Sequence, residues 1–284
     1  MPFAISIFGC TFGCNFKLKF MTHIGTNFIE KQTYENRIVV FIDILGFSNI
    51  VKSTTTIKKA EGFIQKANTV LNNLKSALEF IHKHFDELKL DYANSSIQLS
   101  QFSDSIVISV LENSKELIII FKHLKLIQAR LLNKYNILIR GGVVKGKLIH
   151  TNSLLLGPAM INAYNLESKC ALSPRIVVDP KVKWSYNKIN KTETGEIIEK
   201  EKILKKDYDG TFYIDYFNYD LEFYSDDNDE EYFRTICNLI KENVENSDIS
   251  IRMKYLWMRE KLKKSINYKK FEHIYKEVCV SKKL

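Results

Sequence analysis

Proline is nearly missing from this chain, with 4 in 284 residues, and neither proline nor glycine gathers anywhere into a linker. Helices can therefore run long, and no internal repeat or low-complexity segment divides the sequence. No run of 18 apolar residues occurs, which excludes a hydrophobic helical membrane span. The cysteines (Cys10, Cys14, Cys170, Cys237, Cys279) are odd in number and scattered. They lack both the paired CxxC knuckles of a zinc site and the density of a secreted scaffold, so a reducing, cytoplasmic setting is expected. Cys10 and Cys14 share an i,i+4 spacing, but no histidine or second pair completes a metal site. HExxH, GxSxG and the P-loop are all missing, and the histidines show no paired ligand spacing, which argues against the common zinc hydrolases, serine esterases and Walker-type NTPases. No basic run is interleaved with aromatics at the spacing of a nucleic-acid groove, so no nucleic-acid partner is expected.

The 45% hydrophobic content is ample for a core. A net charge of +9 favours anionic partners without choosing among them. Met1 to Phe20 is apolar, but Lys17 and Lys19 follow the apolar part, the wrong order for a signal peptide. Residues 1–35 therefore read as a poorly ordered leader, or as an over-long start upstream of Met21. A principal domain is expected over 36–220 and a helical extension over 221–284.

Ile38 to Ile44 is apolar on both faces and predicts a central strand. Apolar residues recur at helical spacing from Lys58 to Leu90 and again from Glu116 to Tyr135. Ile97 to Val110 reads as a hairpin turning at Phe102 to Ser105. Ile137 to Leu148, with Gly141, Gly142 and Gly146, reads as a strand pair. A helix over Ala159 to Lys169 and a strand over Pro174 to Asp179 follow. Lys181 to Lys206 reads as an exposed hairpin or loop, Thr211 to Phe217 as an aromatic edge or closing strand, and an acidic loop, Ser225 to Glu231, leads to helices over Glu230 to Glu245 and about Ile249 to Val278. This order predicts an α+β sandwich, a mostly antiparallel sheet with helices on one face.

Two carboxylates stand out. Asp43 ends the buried strand just ahead of Gly46, and Asp104 sits at the hairpin turn, so the two could meet on neighbouring strands. Hard oxygen ligands of this kind suit Mg²⁺ or Mn²⁺ with open positions for phosphates. The alternative is that each aspartate caps a strand end or turn.

The segment Phe41-Ile-Asp-Ile-Leu-Gly-Phe-Ser48 resembles the first metal-binding strand of class III nucleotidyl cyclases, F-x-D-I-x-G-F-[ST]. Phe102-Ser-Asp-Ser-Ile-Val is similar to that family's second metal-binding hairpin, with Ser103 where glycine is usual. Ile139 to Lys147 resembles its R-x-G-[IV]-x-x-G strand, and Gly157 to Ser168 resembles G-x-x-V-N-x-A-x-R-L-x-S. The four blocks appear in family order over roughly residues 36–180. The resemblance implies a ferredoxin-like cyclase sandwich in which Asp43 and Asp104, with the Ile44 carbonyl, hold two Mn²⁺ or Mg²⁺ ions per site. It also implies that the backbone from Ile44 through Leu45, Gly46 and Phe47, beside Phe41, wraps a triphosphate that Arg140 grips. Arg140 could instead be a strand-edge arginine paired to a helix. Sites of this family form between two domains, which implies a homodimer with Asn165 contributed across the interface.

The departures are specific. Ile161 stands where the family has its ribose-orienting asparagine, with Asn162 one residue late. Asn165 replaces the transition-state arginine, leaving Lys145, Lys147 and Arg175 as substitute cations. The adenine-reading lysine and aspartate fall on Ser100 and Leu154. A pocket of Ser100, Phe102, Leu154 and Leu156 resembles the pyrimidine cyclases of Pycsar anti-phage systems, which make cyclic UMP or cyclic CMP for a separate effector. The expected activity is cyclisation of a pyrimidine nucleoside triphosphate, UTP ahead of CTP. A degenerate nucleotide sensor and a palm-type nucleotidyltransferase are the alternatives.

Overall fold

A computed structural model of the chain describes residues 33–48, 95–199, 202–218 and 228–280, with isolated helical positions at 52, 72, 76, 79–81, 83 and 84. Residues 1–32 of the expected leader, with Cys10 and Cys14, most of the helix read over 58–90 and residues 225–227 of the acidic loop lie outside the described residues, while Glu35 already belongs to the first strand.

The strands are β1 (Glu35–Ile44), β2 (Gln98–Phe102), β3 (Ser105–Leu111), β4 (Ile139–His150), β5 (Leu155–Leu156), β6 (Ile176–Val178), β7 (Leu204–Lys206) and β8 (Phe212–Ile214). Six helices accompany them among the described residues: α1 (Glu116–Tyr135), α2 (Pro158–Cys170), α3 (Pro180–Ile189), α4 (Asp229–Asn243), α5 (Ile249–Lys263) and α6 (Ile266–Tyr275), the last running into a π-turn at Lys276–Val280. The sheet order is β2-β3-β1-β4-β6-β8-β7, with β5 paired to β4. All pairings are antiparallel except β4 with β6. The first four strands lie in the order of a split βαββαβ unit, so the α+β, mostly antiparallel, ferredoxin-like class is what the chain adopts.

β1 is central because both of its faces are apolar. Ile38, Val40, Ile42 and Ile44 face one core with α1 and α3, whereas Val39 and Phe41 face a second, smaller core with Ala159 and Ala163 of α2. The helices thus cover both faces of the sheet, not one. α2 can lie directly on β4 because Gly142 and Gly146 offer no side chains beneath it. A Cβ on Gly142 would stand 2.6 Å from the Ala163 carbonyl oxygen and 2.9 Å from the Glu167 nitrogen.

Four further expectations are corrected. The Ile137 to Leu148 segment carries one continuous strand, β4 from Ile139 to His150, since its glycines are extended positions that admit close neighbours. The segment after Asp179 is helix α3, started by the Asp179 side chain accepting from the Lys181 amide at 2.7 Å, with Pro180 in the first turn. The single helix read over Ile249 to Val278 is broken at Ser265, whose hydroxyl accepts from the Tyr268 amide and begins α6. β8 lies between β6 and β7 and is therefore interior.

α4, α5 and α6 enclose a third core against the outer side of α1 and against Tyr213, Tyr216 and Phe217. Trp257 lies edge-on to both Tyr213 and Phe217 at ring separations of 5.6 and 5.7 Å. Its indole nitrogen donates to Asp207 at 2.8 Å. Arg175 and Lys261 also donate to the fully buried Asp207 carboxylate, so one acid joins the sheet to α5. No described helix is long and apolar enough to cross a membrane.

Candidate functional site

The site begins where β1 runs out of apolar residues. Asp43 pairs across the sheet with Ser105 of β3 on one side and with Arg140 of β4 on the other. It shares the sheet face of Val39 and Phe41, the face that α2 covers. Beyond Ile44 the Leu45 amide donates to the Leu138 carbonyl at 2.9 Å, Gly46 turns with φ of 79°, and Phe47 starts a helical segment. Positive φ suits glycine at that turn.

The β2–β3 hairpin delivers the second carboxylate. Phe102 and Ser105 pair, leaving Ser103 and Asp104 as the two-residue turn. Ser103 holds φ at 57°, in the left-handed region where glycine is the relaxed residue, and its carbonyl accepts from the Gln101 amide side chain at 3.0 Å. Asp104 thereby comes within hydrogen-bonding reach of Asp43. Burial, then the negative charge of Asp104, push the Asp43 carboxyl above the usual carboxylate range, against the opposing pull of Arg140. Two carboxylates forced together in this way are a donor set that a hard divalent cation relieves. No group of three or more candidate ligand side chains occurs among the described residues. A hard divalent ion held by these two carboxylates would need its remaining ligands from main-chain oxygen, water or a bound anion, as Mg²⁺ often does.

Arg140 is held from two sides. Its Nη2 lies 3.2 Å from Asp43 Oδ2, and its Nε lies 2.5 Å from Glu167 Oε1. Sequence reasoning passed over Glu167, which occupies an unspecified position of its motif. The carboxylate is 2% exposed, and burial, with a further push from Asp43 and Asp104, raises its pKa to about 7 despite Arg140. The available signal was its spacing, one helical turn after Ala163 on the stripe that meets Gly142. Arg140 therefore pairs with a helix, as the structural alternative had it, while also facing Asp43.

The remaining expected site residues separate into groups. Ile44 is buried in the α1 core and Phe47 packs against that core, so the main chain is what these residues turn toward the site. Phe41 is buried, with Tyr164 of α2 edge-on to its ring at 5.7 Å. Ser100 on β2 is half-buried, and its hydroxyl meets His150 Nε2 at 2.9 Å. Leu154 closes a tight turn directly after His150, where the Thr151 amide donates to its carbonyl at 2.8 Å. Phe102, Leu154 and Leu156 are exposed, as are Ile161 and Tyr164 of α2. Asn165 is half-buried on α2, and none of its described interactions reaches Asp43 or Asp104.

The substitute cations do not converge. Lys145 pairs with Ile38 across the sheet and so lies on the opposite face from Asp43, bound to Glu112 at 2.7 Å and near Ser185 of α3. Lys147, opposite Asn36, shares that far face. Arg175 is buried against Asp207 and Asp209. Lys254 of α5, unremarked in the sequence, feels the charge of this site: burial and then the like charge of Arg140 lower its pKa.

No protein-family model matches the chain, and no curated protein matches it. Among solved structures, two described as a bacterial light-regulated adenylyl cyclase are similar over 54% of this chain and 45% of theirs, at 18% and 16% identity and TM-scores of 0.36 and 0.34. The chain thus matches less than half the length of those structures.

Proposed function

We propose that the chain is a metal-dependent nucleotidyl cyclase that converts a pyrimidine nucleoside triphosphate, UTP ahead of CTP, to its 3′,5′-cyclic monophosphate and diphosphate. The observation that carries this reading is the meeting of Asp43, Asp104 and Arg140 at one sheet end, from segments that each resemble a cyclase block. Asp43 and Asp104, with the Ile44 carbonyl, would hold two Mn²⁺ or Mg²⁺ ions, which supply neutralisation of the triphosphate and activation of the ribose hydroxyl. Arg140, drawn off Asp43, offers its planar fork to phosphate oxygens while Glu167 keeps its Nε in place. Asn165 would contribute a hydrogen bond without charge, and Lys254, which feels the charge of Arg140, is a cation that could supplement it.

Pyrimidine preference is supported by Ser100 and Leu154 standing where an adenine-reading lysine and aspartate would be. A homodimer is supported by exposed apolar residues, Ile161 and Tyr164 on α2 and Leu154 and Leu156 beside the far end of β4, which a C2 partner would cover. A second-messenger role, read by a separate effector in anti-phage defence, follows the same resemblance.

The test is incubation of purified protein with each ribonucleoside triphosphate and Mn²⁺, with products identified by mass spectrometry. A cyclic UMP or cyclic CMP peak, lost in folded Asp43→Ala and Asp104→Ala proteins, is the expected result. Equal product from those variants would remove the metal assignment, and joined nucleotides would indicate a palm-type transferase. Triphosphate binding without product would favour the sensor reading, which the uncharged Asn165 and the diverted Lys145, Lys147 and Arg175 support.

A further inference from the structure

Two of the five cysteines, 42 positions apart in the sequence, meet in the third core, where the proposed chemistry makes no use of them. Cys237 is fully buried on α4, and Cys279, half-buried in the π-turn Lys276–Val280 that follows α6, packs against the same core. The two segments are held side by side about one turn earlier on α4, where Arg234 Nη1 lies 2.8 Å from Glu277 Oε1. Cys279 Sγ stands 3.5 Å from the Cys237 carbonyl oxygen, and the two thiols hydrogen-bond each other. Both thiols are free, as is that of the half-buried Cys170 at the end of α2.

The surroundings make the two thiols unlike. Cys237, hydrogen-bonded to Cys279 and buried, is pushed above the usual thiol range. Cys279 is held below that range by the Cys237 thiol and then by the cations Lys241, Lys263 and Arg259, against the effect of burial. A thiolate is the reactive form of cysteine, and a partly accessible one among cations is where oxidation starts. Packing accounts for Cys237 as a small apolar filler, but it does not require a second, half-exposed thiol set against the first. A low-lying accessible thiol with a second thiol in contact is the arrangement of an attacking and a resolving cysteine.

We propose that Cys279 and Cys237 form a reversible oxidation site, at which Cys279 reacts with a hydroperoxide and Cys237 resolves the product into a disulfide that ties the C-terminal π-turn to α4. The Cys279 thiolate attacks one peroxide oxygen, an S–O bond forms, the O–O bond breaks and hydroxide or alkoxide leaves. Sulfur is thereby oxidised to a sulfenic acid and the peroxide is reduced. The Cys237 sulfur then attacks the sulfenic sulfur: the S–S bond forms, the S–O bond breaks, and water leaves with the Cys237 proton. A dithiol reductant restores both thiols by exchange. The site is independent of the cyclase reading above and goes beyond it.

The test treats the folded full-length protein, reduced and then freed of reductant, with hydrogen peroxide, alkylates the remaining thiols in denaturant and locates them by peptide mass spectrometry. Cys237 and Cys279 are expected to lose alkylation together, about tenfold or more faster than Cys170 does, and to appear in a cross-linked peptide that dithiothreitol separates. The disulfide should also raise the Tm of the oxidised parent, with no such rise in Cys279→Ser. Cys279→Ser should leave Cys237 unoxidised, and Cys237→Ala should leave a Cys279 sulfenic acid that dimedone traps. Cys279 is half-buried on a turn, so its variant reports even if the buried Cys237→Ala change prevents folding. Oxidation of Cys279 no faster than that of Cys170 overturns the inference, as does passage of Cys279 to the sulfinic acid without a cross-link to Cys237.

Discussion

Gly142→Ala is the sharpest probe of how the site is assembled. The added Cβ would lie 2.6 Å from the Ala163 carbonyl oxygen, 2.9 Å from the Glu167 amide nitrogen and 3.1 Å from Leu166 Cβ. Two of these are main-chain atoms of α2, so no rotamer change relieves the overlap and the helix must lift by about half an ångström or more, in an interior with little free space. Overpacking of this kind costs about 1–3 kcal/mol, equivalent to a fall in Tm of about 2–12 °C for a domain of this size. The same displacement draws Glu167 from Arg140, so under the proposed function nucleotide turnover should fall further than stability does. Gly146→Ala is the internal control: its Cβ would lie 3.3 Å from the Ala159 Cβ and no nearer than 3.7 Å to the Ala159 main chain, and should cost less. Urea denaturation followed by circular dichroism measures both. A Gly142→Ala protein within about 0.5 kcal/mol of the parent, the usual spread for innocuous surface changes, would refute the claim that close approach of α2 to β4 builds the site.

Ser103→Gly relaxes a left-handed turn position and should raise stability by about 0.5–1 kcal/mol, read as a higher urea midpoint; a lower midpoint would show that the turn does not strain Ser103. Asp207→Ala leaves Arg175 and Lys261 buried without their shared acid and should cost about 3–5 kcal/mol, with loss of the near-ultraviolet signal of Trp257. Glu167 has a folded pKa of about 7 against an ordinary value of 4.5, so the fold binds its proton more tightly than the unfolded chain does. Its contribution is full below pH 4.5 and is lost as pH rises toward 7, and Glu167→Gln should flatten that slope in metal-free urea titrations at pH 5, 6 and 7. An unchanged slope would mean that Glu167 is ionised in the fold throughout.

What the sequence determined by itself was mostly local. The unbroken apolar run of β1 from Ile38 to Ile42, the 3.6-residue period of α1 and the turn at Ser103-Asp104 each depend on neighbours in the chain, so their patterns could be read directly, and with them the two carboxylates, Asp43 and Asp104. The glycines of β4 misled for a related reason. Local punctuation rules treat glycine as a turn, whereas Gly141, Gly142 and Gly146 are extended residues kept bare for the Phe41 carbonyl and for α2. α3 was hidden by its lysines, although the Asp179-Pro180 start was present in the sequence.

Only the tertiary structure decided which distant residues share a face. The register of β1 between β3 and β4 places Arg140 against Asp43 and sends Lys145 to the far side, a difference set by the twofold alternation of side chains along a strand. Glu167 and Cys279 acquired significance through packing beside Arg140 and Cys237, partners 27 and 42 positions away in the sequence. Periodicity cannot report such pairings, because they depend on where helices and strands dock.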